Sequence, residues 1–314
     1  MLIVTGGAGF IGSNIVRGLN DDDRTDIVVV DDLTDGHKFT NLVDCEIDDY
    51  WDKDEFLEQL EQLDEPPEAV IHQGACAVTT EWNGRYMMNE NYKYSVDVLE
   101  YCRDKEVPLI YASSAAIYGA SDTFSADDAA VERPLNVYGY SKLLFDRYVR
   151  NTQEDDDPQV VGLRYFNVYG PREAHKGSMA SVVWHFTRQL AETGELKLFE
   201  GSHGYGDGEQ RRDFIHVDDV VRVVLWFLDN PDVSGIFNVG TGKSASFNDL
   251  ANAVVEHQGR GSIRYVPFPE SLEASYQAFT EAEIGPLRDA GYEAGFHDIR
   301  AGVRKYLDAL ANET

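Results

Sequence analysis

Residues 1–12 read Met1-Leu-Ile-Val-Thr-Gly6-Gly-Ala-Gly9-Phe-Ile-Gly12, an apolar run that breaks into glycines at positions 6, 9 and 12. The run is long enough for one buried strand, and residues 13–19 continue as a helical pattern. Backbone N–H groups in such a turn, together with the positive end of the helix dipole, bind phosphate groups. The stretch therefore predicts a strand, a glycine turn and a helix that together bind a dinucleotide pyrophosphate.

A second apolar run ends in two acidic residues. Ile27-Val-Val-Val30 has the composition of a buried strand, and Asp31 and Asp32 follow it directly. An acidic residue about twenty positions beyond the glycine turn is well placed to accept a hydrogen bond from an adenosine ribose. A glycine turn that binds nothing is the alternative, and the position of Asp31 argues against it.

Buried strands alternate with helical patterns through the first half of the chain. The predicted strands are 2–4, 27–30, 69–72, 108–112 and 160–164, and the predicted helices are 11–19, 52–60, 86–103 and 137–151. This alternation predicts an α/β fold with a doubly wound parallel sheet of the Rossmann type. The later predicted elements are helices at 179–193, 217–228, 247–257 and 299–310, a strand at 235–239 and a glycine-rich, mobile loop at 202–210.

We expect two lobes from this organisation. Residues 1–168 plus about 213–240 are predicted to form the dinucleotide-binding Rossmann domain. Residues from about 169–212 plus 241–314 are predicted to form a smaller substrate-binding lobe that closes a cleft over the cofactor.

The composition excludes several classes of partner. The 314 residues carry a formal net charge of −29, which opposes general affinity for nucleic acid or for anionic membrane surfaces. No apolar stretch approaches the roughly 20 residues of a membrane-spanning helix. Because the first apolar run already includes Met1, we expect no signal peptide. Cys45, Cys76 and Cys102 are expected to be reduced thiols, so we expect a cytoplasmic protein. With no Cys-x-x-Cys pair and scattered histidines, we expect no metal site.

Tyr138-Gly-Tyr-Ser-Lys142 predicts a catalytic pair. Residues four apart share one face of a helix, so Tyr138 and Lys142 can both point into the cleft. The ammonium is expected to lower the pKa of the phenol, which would then exchange a proton with a substrate hydroxyl while hydride moves. Ser114, at the end of the strand near 108–112, is placed to hold the substrate oxygen. An exposed tyrosine beside a surface lysine is the alternative reading of this pattern.

These motifs resemble the extended short-chain dehydrogenase/reductase superfamily, many of whose members act on nucleotide sugars. Longer stretches are similar to one family within it, the ADP-L-glycero-D-manno-heptose 6-epimerases, in order along almost the whole chain. The similar stretches are 4–15, 72–76, 79–82, 86–88, 111–116, 135–142, 164–173, 175–181 and 276–280. The His175-to-Ser181 and Thr79-to-Trp82 segments are much more specific than the superfamily motifs.

The resemblance implies an isomerase that inverts C6 of the heptose in ADP-D-glycero-D-manno-heptose, for lipopolysaccharide core biosynthesis. That carbon has no adjacent carbonyl and no acidic proton, so transient oxidation is the reasonable route. Hydride leaves to a nicotinamide and returns to the other face of the ketone. An acid/base group is then needed on each side, and the resemblance gives these roles to Tyr138 and Lys176.

The resemblance also implies binding residues and an assembly. For the cofactor, expected to be NADP, they are Gly6, Gly9, Phe10, Ile11, Gly12, Asp31, Asp32, Lys38, Lys53, Gln73, Gly74, Ala75, Cys76, Ala77, Asn91, Lys142, Val168 and Lys176. For the ADP-sugar they are Ser114, Asn167, Ser178, His185, Phe199, Glu200, Gly201, Ser202, Arg212 and Tyr276. Lys38 and Lys53 are the cations expected to receive the 2′-phosphate of NADP. The family is a homo-oligomer, reported as a pentamer.

Two departures from the family bear on these roles. Position 32 is Asp here, where the family usually has Asn, and a second carboxylate near the 2′ position opposes phosphate and leaves NAD possible. The segment 202–210 is longer than the family's loop before Arg212, which leaves the contacts of that loop open.

Other functions remain as alternatives. A UDP-hexose 4-epimerase would share the motifs but accept UDP-sugars. A sugar 4,6-dehydratase would carry an Asp-Glu pair after Ser113-Ser114, where this chain has Ala115-Ala116. A dinucleotide-sensing protein without turnover usually lacks the Tyr138–Lys142 pair that this chain retains.

Overall fold

The computed structural model of the chain describes residues 1–119, 121–270 and 276–312. In chain order the strands are β1 (Leu2–Thr5), β2 (Ile27–Asp31), β3 (Asp49–Asp52), β4 (Ala69–His72), β5 (Leu109–Ser114), β6 (Val160–Tyr165), β7 (Asn167–Tyr169), β8 (Glu195–Phe199), β9 (Arg211–Arg212), β10 (Phe214–His216), β11 (Gly235–Val239), β12 (Ala245–Ser246) and β13 (Ser262–Val266).

The α-helices are α1 (Phe10–Asp21), α2 (Phe56–Glu61), α3 (Gly84–Met88), α4 (Tyr94–Asp104), α5 (Val137–Thr152), α6 (Val182–Thr193), α7 (Val217–Asp229), α8 (Phe247–Gln258), α9 (Gly285–Asp289) and α10 (Ile299–Asn312). Short 3-10 helices span Gly36–Asn41, Ala115–Ile117, Ala129–Val131 and Ala174–Met179, and a π-helical turn spans Asn89–Lys93. Within the described ranges, no helix is long and apolar enough to cross a lipid bilayer.

A parallel sheet of seven strands organises the described part of the chain, in the order β11-β6-β5-β4-β1-β2-β3. All of its neighbouring strands run parallel. The chain winds outward from β1 to β3 and then restarts on the other side with β4. Ligands of such sheets bind beyond the carboxyl ends of the strands at this reversal, between β1 and β4. The predicted doubly wound α/β fold is confirmed, and 235–239 joins the sheet as β11.

Helices cover both faces of the sheet because its strands are apolar on both faces. Along β1, Leu2 and Val4 belong to one buried cluster with residues of α1 and α7. Ile3 points the other way, into a cluster with residues of α2, α4 and α5. This pattern is expected where successive side chains alternate between two covered faces of a parallel sheet.

A third apolar cluster lies among the later elements. It joins side chains of α6, α8 and α10 with those of β8, including Val183, Leu196, Leu250 and Tyr306. β8 pairs with β13, and β7 pairs with β10, in separate two-stranded sheets. The division into two lobes stays a prediction, and residues 271–275 and 313–314 of the second lobe lie outside the described residues.

Several elements differ from the sequence prediction, and β8, β13 and α9 are additional elements that it did not include. Asp49–Asp52 forms the edge strand β3 where the predicted helix 52–60 begins, and the helix starts only at Phe56. An edge strand needs a partner on one side only, so its acidic, partly exposed side chains do not prevent pairing with β2. The predicted helix 86–103 is interrupted by the π-helical turn. The short strands β7, β9, β10 and β12 are too brief to show a period in the sequence.

A buried charged network joins α5 to the sheet. Arg164 on β6 is fully buried, and its guanidinium donates to Asp146 Oδ2 at 2.8 Å and to Glu132 Oε1 at 2.6 Å. Asp146 also accepts hydrogen bonds from Ser113 Oγ at 3.0 Å and Tyr111 Oη at 3.1 Å. Glu132 is also paired with the partly exposed Arg150, at 2.5 Å, whereas Asp146 pairs with Arg164 in a fully buried position. The loss of Arg164 would therefore leave the carboxylate of Asp146 without its counter-charge.

Arg164→Met is expected to lower the free energy of unfolding by about 3–5 kcal/mol, since the buried Asp146 would lose its counter-charge while Glu132 would keep Arg150. Urea unfolding followed by circular dichroism measures the change. Arg300→Met is the control, because Arg300 pairs with Glu256 at the surface and should cost at most about 1 kcal/mol. Equal costs for the two variants would contradict the structural role of the network.

Candidate active site

A cavity of about 760 Å³ opens where the strand order reverses. Its lining comes from the segments that follow β1, β2, β4, β5 and β6, from the start of α5 and from the 3-10 helix at 174–179. It brings together these residues that the sequence predicted: Gly6, Gly9, Phe10, Ile11, Gly12, Asp31, Asp32, Lys38, Lys53, Gln73, Gly74, Ala75, Cys76, Ala77, Ser114, Tyr138, Lys142, Asn167, Val168 and Lys176. Parts of the chain up to 170 residues apart therefore meet at one site.

The glycine turn leaves no room for side chains. Gly6 has φ +65°, a conformation that favours glycine, and a Cβ on Gly12 would lie 2.1 Å from the Gly6 carbonyl oxygen. Gly6 N donates to Val30 O at 2.7 Å, which ties the turn to the end of β2. Gly9 precedes α1 and has no side chain to cap it, so the N–H groups of the first helical turn remain available to phosphate oxygens.

Asp31 at the end of β2 is buried and held by three donors. Its Oδ2 accepts from Ala8 N at 2.8 Å, and its Oδ1 accepts from Asp32 N at 2.7 Å and from Lys38 Nζ at 2.6 Å. Lys53 Nζ lies 2.8 Å from Glu90 Oε2 and 3.8 Å from Asp32 Oδ2. The two lysines predicted to receive a 2′-phosphate are therefore both paired with carboxylates.

A hydrogen-bonded chain fixes the segment after β4. Thr5 Oγ1 bonds to His72 Nδ1 at 2.6 Å and accepts from Gly74 N at 3.0 Å, and His72 Nε2 bonds to Ser95 Oγ at 2.9 Å. Burial lowers the pKa of His72 to about 3, so the ring is neutral and serves as a connector. This chain joins β1, β4 and α4 directly beneath the cavity.

Asn91 lies outside the cavity lining and acts one layer behind it. Its side chain accepts from Cys76 N at 2.8 Å and donates to Cys76 O at 3.0 Å and to Ser141 Oγ at 3.1 Å. The π-helical turn that contains Asn91 thereby connects the loop after β4 to α5. The predicted cofactor residue Asn91 is placed to support that loop.

Tyr138, Lys142 and Ser114 meet at the start of α5. Asn136 caps this helix, accepting from Gly139 N at 2.8 Å, so that Tyr138 lies in the first turn. The Ser114 hydroxyl hydrogen-bonds to the Tyr138 phenol. Lys142 Nζ donates to the Ala112 carbonyl at 2.8 Å.

The pKa values of this pair differ from the expectation. Burial raises the pKa of Tyr138, and the hydrogen bond from Ser114 opposes that rise only in part. Burial lowers the pKa of Lys142 to about 8, against the effect of the Asp146 carboxylate one turn further along α5. The pKa of the phenol is thus raised by loss of hydration, not lowered as the sequence predicted, and the Lys142 ammonium donates to Ala112.

Lys176 reaches the cavity from the 3-10 helix at 174–179. Its ammonium stands 5.0 Å from the centre of the Phe10 ring, above the glycine turn. Burial lowers its pKa, and the carboxylate of Glu173 opposes the change. Glu173 is itself buried and accepts from Ser181 Oγ at 2.6 Å, which closes the loop that carries Lys176. An amine in this setting can exchange a proton more readily than a surface lysine.

The predicted ADP-sugar residues divide into two groups. Ser114 and Asn167 line the cavity, whereas these lie outside its lining as the structure describes it: Ser178, His185, Phe199, Glu200, Gly201, Ser202, Arg212 and Tyr276. Arg212 is buried, with the Tyr276 ring centre 4.9 Å and the Phe247 ring centre 5.9 Å from its guanidinium carbon.

The loop 202–210 folds back on itself. Gln210 Nε2 donates to Ser202 Oγ at 3.0 Å and to Glu200 O at 3.1 Å, and Asp207 Oδ1 accepts from Gly201 N at 2.8 Å. His203 reaches the aromatic rings of Phe268 and Tyr276, at centroid distances of 5.7 and 5.9 Å. These contacts hold the extra length of the loop beside Arg212.

Several lining residues were not predicted. They are chiefly Thr79, Tyr86, Glu90, Tyr94, Gln277 and Thr280. Thr79, Tyr86, Gln277 and Thr280 fall within the stretches that carry the family resemblance, which was the signal available for them. Glu90 falls in no such stretch, and its role depends on the π-helical turn, which the sequence did not predict.

No group of three or more His, Cys, Asp and Glu side chains suited to a metal ion occurs among the residues the structure describes. Cys45, Cys76 and Cys102 are free thiols.

Comparisons with known proteins identify the family of the chain. Residues 2–240 match the model of the NAD dependent epimerase/dehydratase family. The chain is 59% identical to the ADP-L-glycero-D-manno-heptose-6-epimerase of Alkalilimnicola ehrlichii, over 99% of this chain and 98% of that protein.

Solved structures of epimerases superpose closely on this chain. The Helicobacter pylori ADP-L-glycero-D-manno-heptose-6-epimerase superposes with a TM-score of 0.86 at 33% identity, covering 99% of this chain and 96% of that one. The Thermus thermophilus UDP-glucose 4-epimerase in complex with NAD superposes with a TM-score of 0.80 at 28% identity, covering 100% and 99%. The predicted family is confirmed. The chain belongs to the NAD dependent epimerase/dehydratase family and, within it, to the ADP-L-glycero-D-manno-heptose-6-epimerases.

Proposed function

We propose that the protein inverts C6 of the heptose in ADP-D-glycero-D-manno-heptose and so forms ADP-L-glycero-D-manno-heptose. The main support for the proposal is that one cavity contains several side chains able to exchange protons. Ser114, Tyr138 and Lys142 line it beside the end of β5, and Lys176 lines it above the glycine turn. An epimerase that works on two faces of one carbon needs proton-transfer groups in two places.

The residues fit a nicotinamide dinucleotide, as the family requires. Side chains on Gly6 and Gly12 would collide with backbone, so the turn is shaped for the close approach of a pyrophosphate. A bound nicotinamide would supply the group that accepts hydride from the carbinol carbon and returns it. The carbon has no acidic proton, which makes such redox chemistry necessary.

The side chains then have distinct roles. Tyr138 takes the proton of the C6 hydroxyl while Ser114 holds the oxygen by a hydrogen bond. Tyr138 must be a phenolate to take this proton, and Lys142, on the same face of α5, places positive charge beside that phenolate. After the side chain of the sugar turns, Lys176 gives a proton to the oxygen on the other side. Proton exchange with solvent then returns Tyr138 and Lys176 to their starting states. We propose that Arg212 binds the diphosphate, since its guanidinium is buried between aromatic rings.

The proposal extends to the location, assembly and cofactor of the protein. We propose a cytoplasmic homo-oligomer whose product is used for the lipopolysaccharide core. The preference for NADP implied by the family resemblance depends on Lys38 and Lys53. Both lysines are paired with carboxylates, Asp31 and Glu90, which oppose the binding of a 2′-phosphate.

The activity is tested by incubating the purified protein with ADP-D-glycero-D-manno-heptose and following C6 by NMR. We expect an equilibrium mixture of the two epimers. UDP-glucose is the comparison substrate, and conversion of UDP-glucose with no conversion of the heptose would favour a UDP-hexose 4-epimerase.

Tyr138→Phe is expected to lower kcat by about 10²- to 10⁴-fold, because the phenol that exchanges the proton is removed. The variant should still bind cofactor, which nicotinamide fluorescence measures. Tyr140→Phe is the matched control, since Tyr140 lies on the same helix with 46% of its surface exposed. A Tyr138→Phe enzyme with wild-type kcat would remove Tyr138 from the mechanism.

Lys176→Met is expected to fold normally and to lose kcat by about 10²-fold or more, because one face of the substrate then lacks its proton donor. Lys197→Met, which changes an exposed lysine of β8, is the control. Steady-state epimerisation measured by NMR compares the two variants. If both kept wild-type rates, Lys176 would have no part in proton transfer.

A further inference from the structure

Five charged side chains surround the end of β2 in the cavity. Asp31, Asp32 and Glu90 are carboxylates, Lys38 and Lys53 are ammoniums, and all five line the cavity. Three negative groups against two positive ones leave one net negative charge. A site that binds a phosphate dianion normally has an excess of positive charge.

Asp31 retains capacity for a hydroxyl donor. A carboxylate offers about four lone-pair positions, and three are used by Ala8 N, Asp32 N and Lys38 Nζ. Two of these donors contact Oδ1 and only Ala8 N contacts Oδ2, so Oδ2 can accept one further hydrogen bond. An acceptor at the end of this strand is the group that binds the 2′-hydroxyl of an adenosine ribose.

Lys53 is engaged by carboxylates rather than open to a phosphate. Its ammonium is 2.8 Å from Glu90 and 3.8 Å from Asp32, and its side chain is only 27% exposed. Its backbone N–H donates to Asp31 O at 3.1 Å, which fixes its position at the edge of the sheet.

Glu90 is held in place by its neighbour in the chain. It precedes Asn91, whose side chain is buried and bonded to both polar backbone groups of Cys76. The π-helical turn therefore sets where Glu90 lies, and the pair with Lys53 is part of the built site.

We propose that Glu90 and Asp32 make this site select NAD over NADP. The 2′-phosphate of NADP would have to displace Glu90 from Lys53, and would then lie beside two carboxylates that have lost their counter-charge. The 2′-hydroxyl of NAD displaces nothing and donates to Asp31. The inference rests on the proposed function only in requiring a nicotinamide dinucleotide, and it favours NAD where the family resemblance implies NADP.

The test is the equilibrium binding of NADH and NADPH, each measured by nicotinamide fluorescence on the full chain. The wild type is expected to bind NADH about tenfold or more tightly than NADPH. The 2′-phosphate of NADPH is negative and would enter a group of side chains with a net negative charge, which weakens its binding. Glu90→Gln should lower the ratio of the Kd for NADPH to the Kd for NADH by about fivefold to tenfold, because NADPH then binds more tightly. Asp32→Asn should narrow it by a smaller factor.

Glu58→Gln is the control, because Glu58 is exposed on α2, outside the cavity lining, and its loss changes the total charge equally. Its Kd ratio should match the wild type. Melting temperature and NADH affinity check that each variant is folded, and Asp32→Asn serves as a second test should Glu90→Gln unfold.

Tighter binding of NADPH by the wild type would overturn the proposal. So would a Kd ratio that neither Glu90→Gln nor Asp32→Asn alters. The measurement needs no sugar substrate, so a failure to epimerise ADP-heptose would count against the proposed function and leave this inference standing.

Discussion

The contact between Gly12 and the carbonyl of Gly6 is the constraint on which the site depends. With no Cβ at either position, the first turn of α1 can lie against the end of β1, and the helix N-terminus points where a pyrophosphate binds. In the proposed function, phosphates fixed there would direct one end of a dinucleotide toward Asp31 at β2 and the other toward Tyr138 at α5. The network through Thr5, His72 and Asn91 keeps these elements in register.

The two lysines of the site do different work because their surroundings differ. Lys142 donates to the Ala112 carbonyl, and the buried Asp146 lies one turn away, so its ammonium has a fixed place and a supporting charge. Lys176 rests over the ring of Phe10, with Glu173 as its opposing charge, on a loop closed through Ser181. Burial lowers the pKa of both amines, so their contacts make the difference. The ammonium of Lys142, fixed on the Ala112 carbonyl, suits support of a phenolate, and Lys176, over the Phe10 ring, suits proton transfer.

Much of this could be predicted from the sequence because it depends on local patterns. The glycine turn, the buried strands and the Tyr138–Lys142 spacing each specify geometry over a few residues, and the sheet followed from their alternation. The pKa direction of Tyr138 could not be predicted, since it depends on burial by segments far along the chain. The pairing of Lys53 with Glu90 was missed for a similar reason: a π-helical turn, which has no clear sequence period, sets the position of Glu90.

The central claim is that hydride leaves C6 and returns to the opposite face without exchange with water. Epimerisation of ADP-D-glycero-D-manno-heptose in heavy water, followed by NMR and mass spectrometry of the product, tests it most directly. The account predicts an inverted product that carries no solvent deuterium at C6, and full retention of deuterium when the substrate is labelled there. Incorporation of solvent deuterium at C6 during turnover would contradict it.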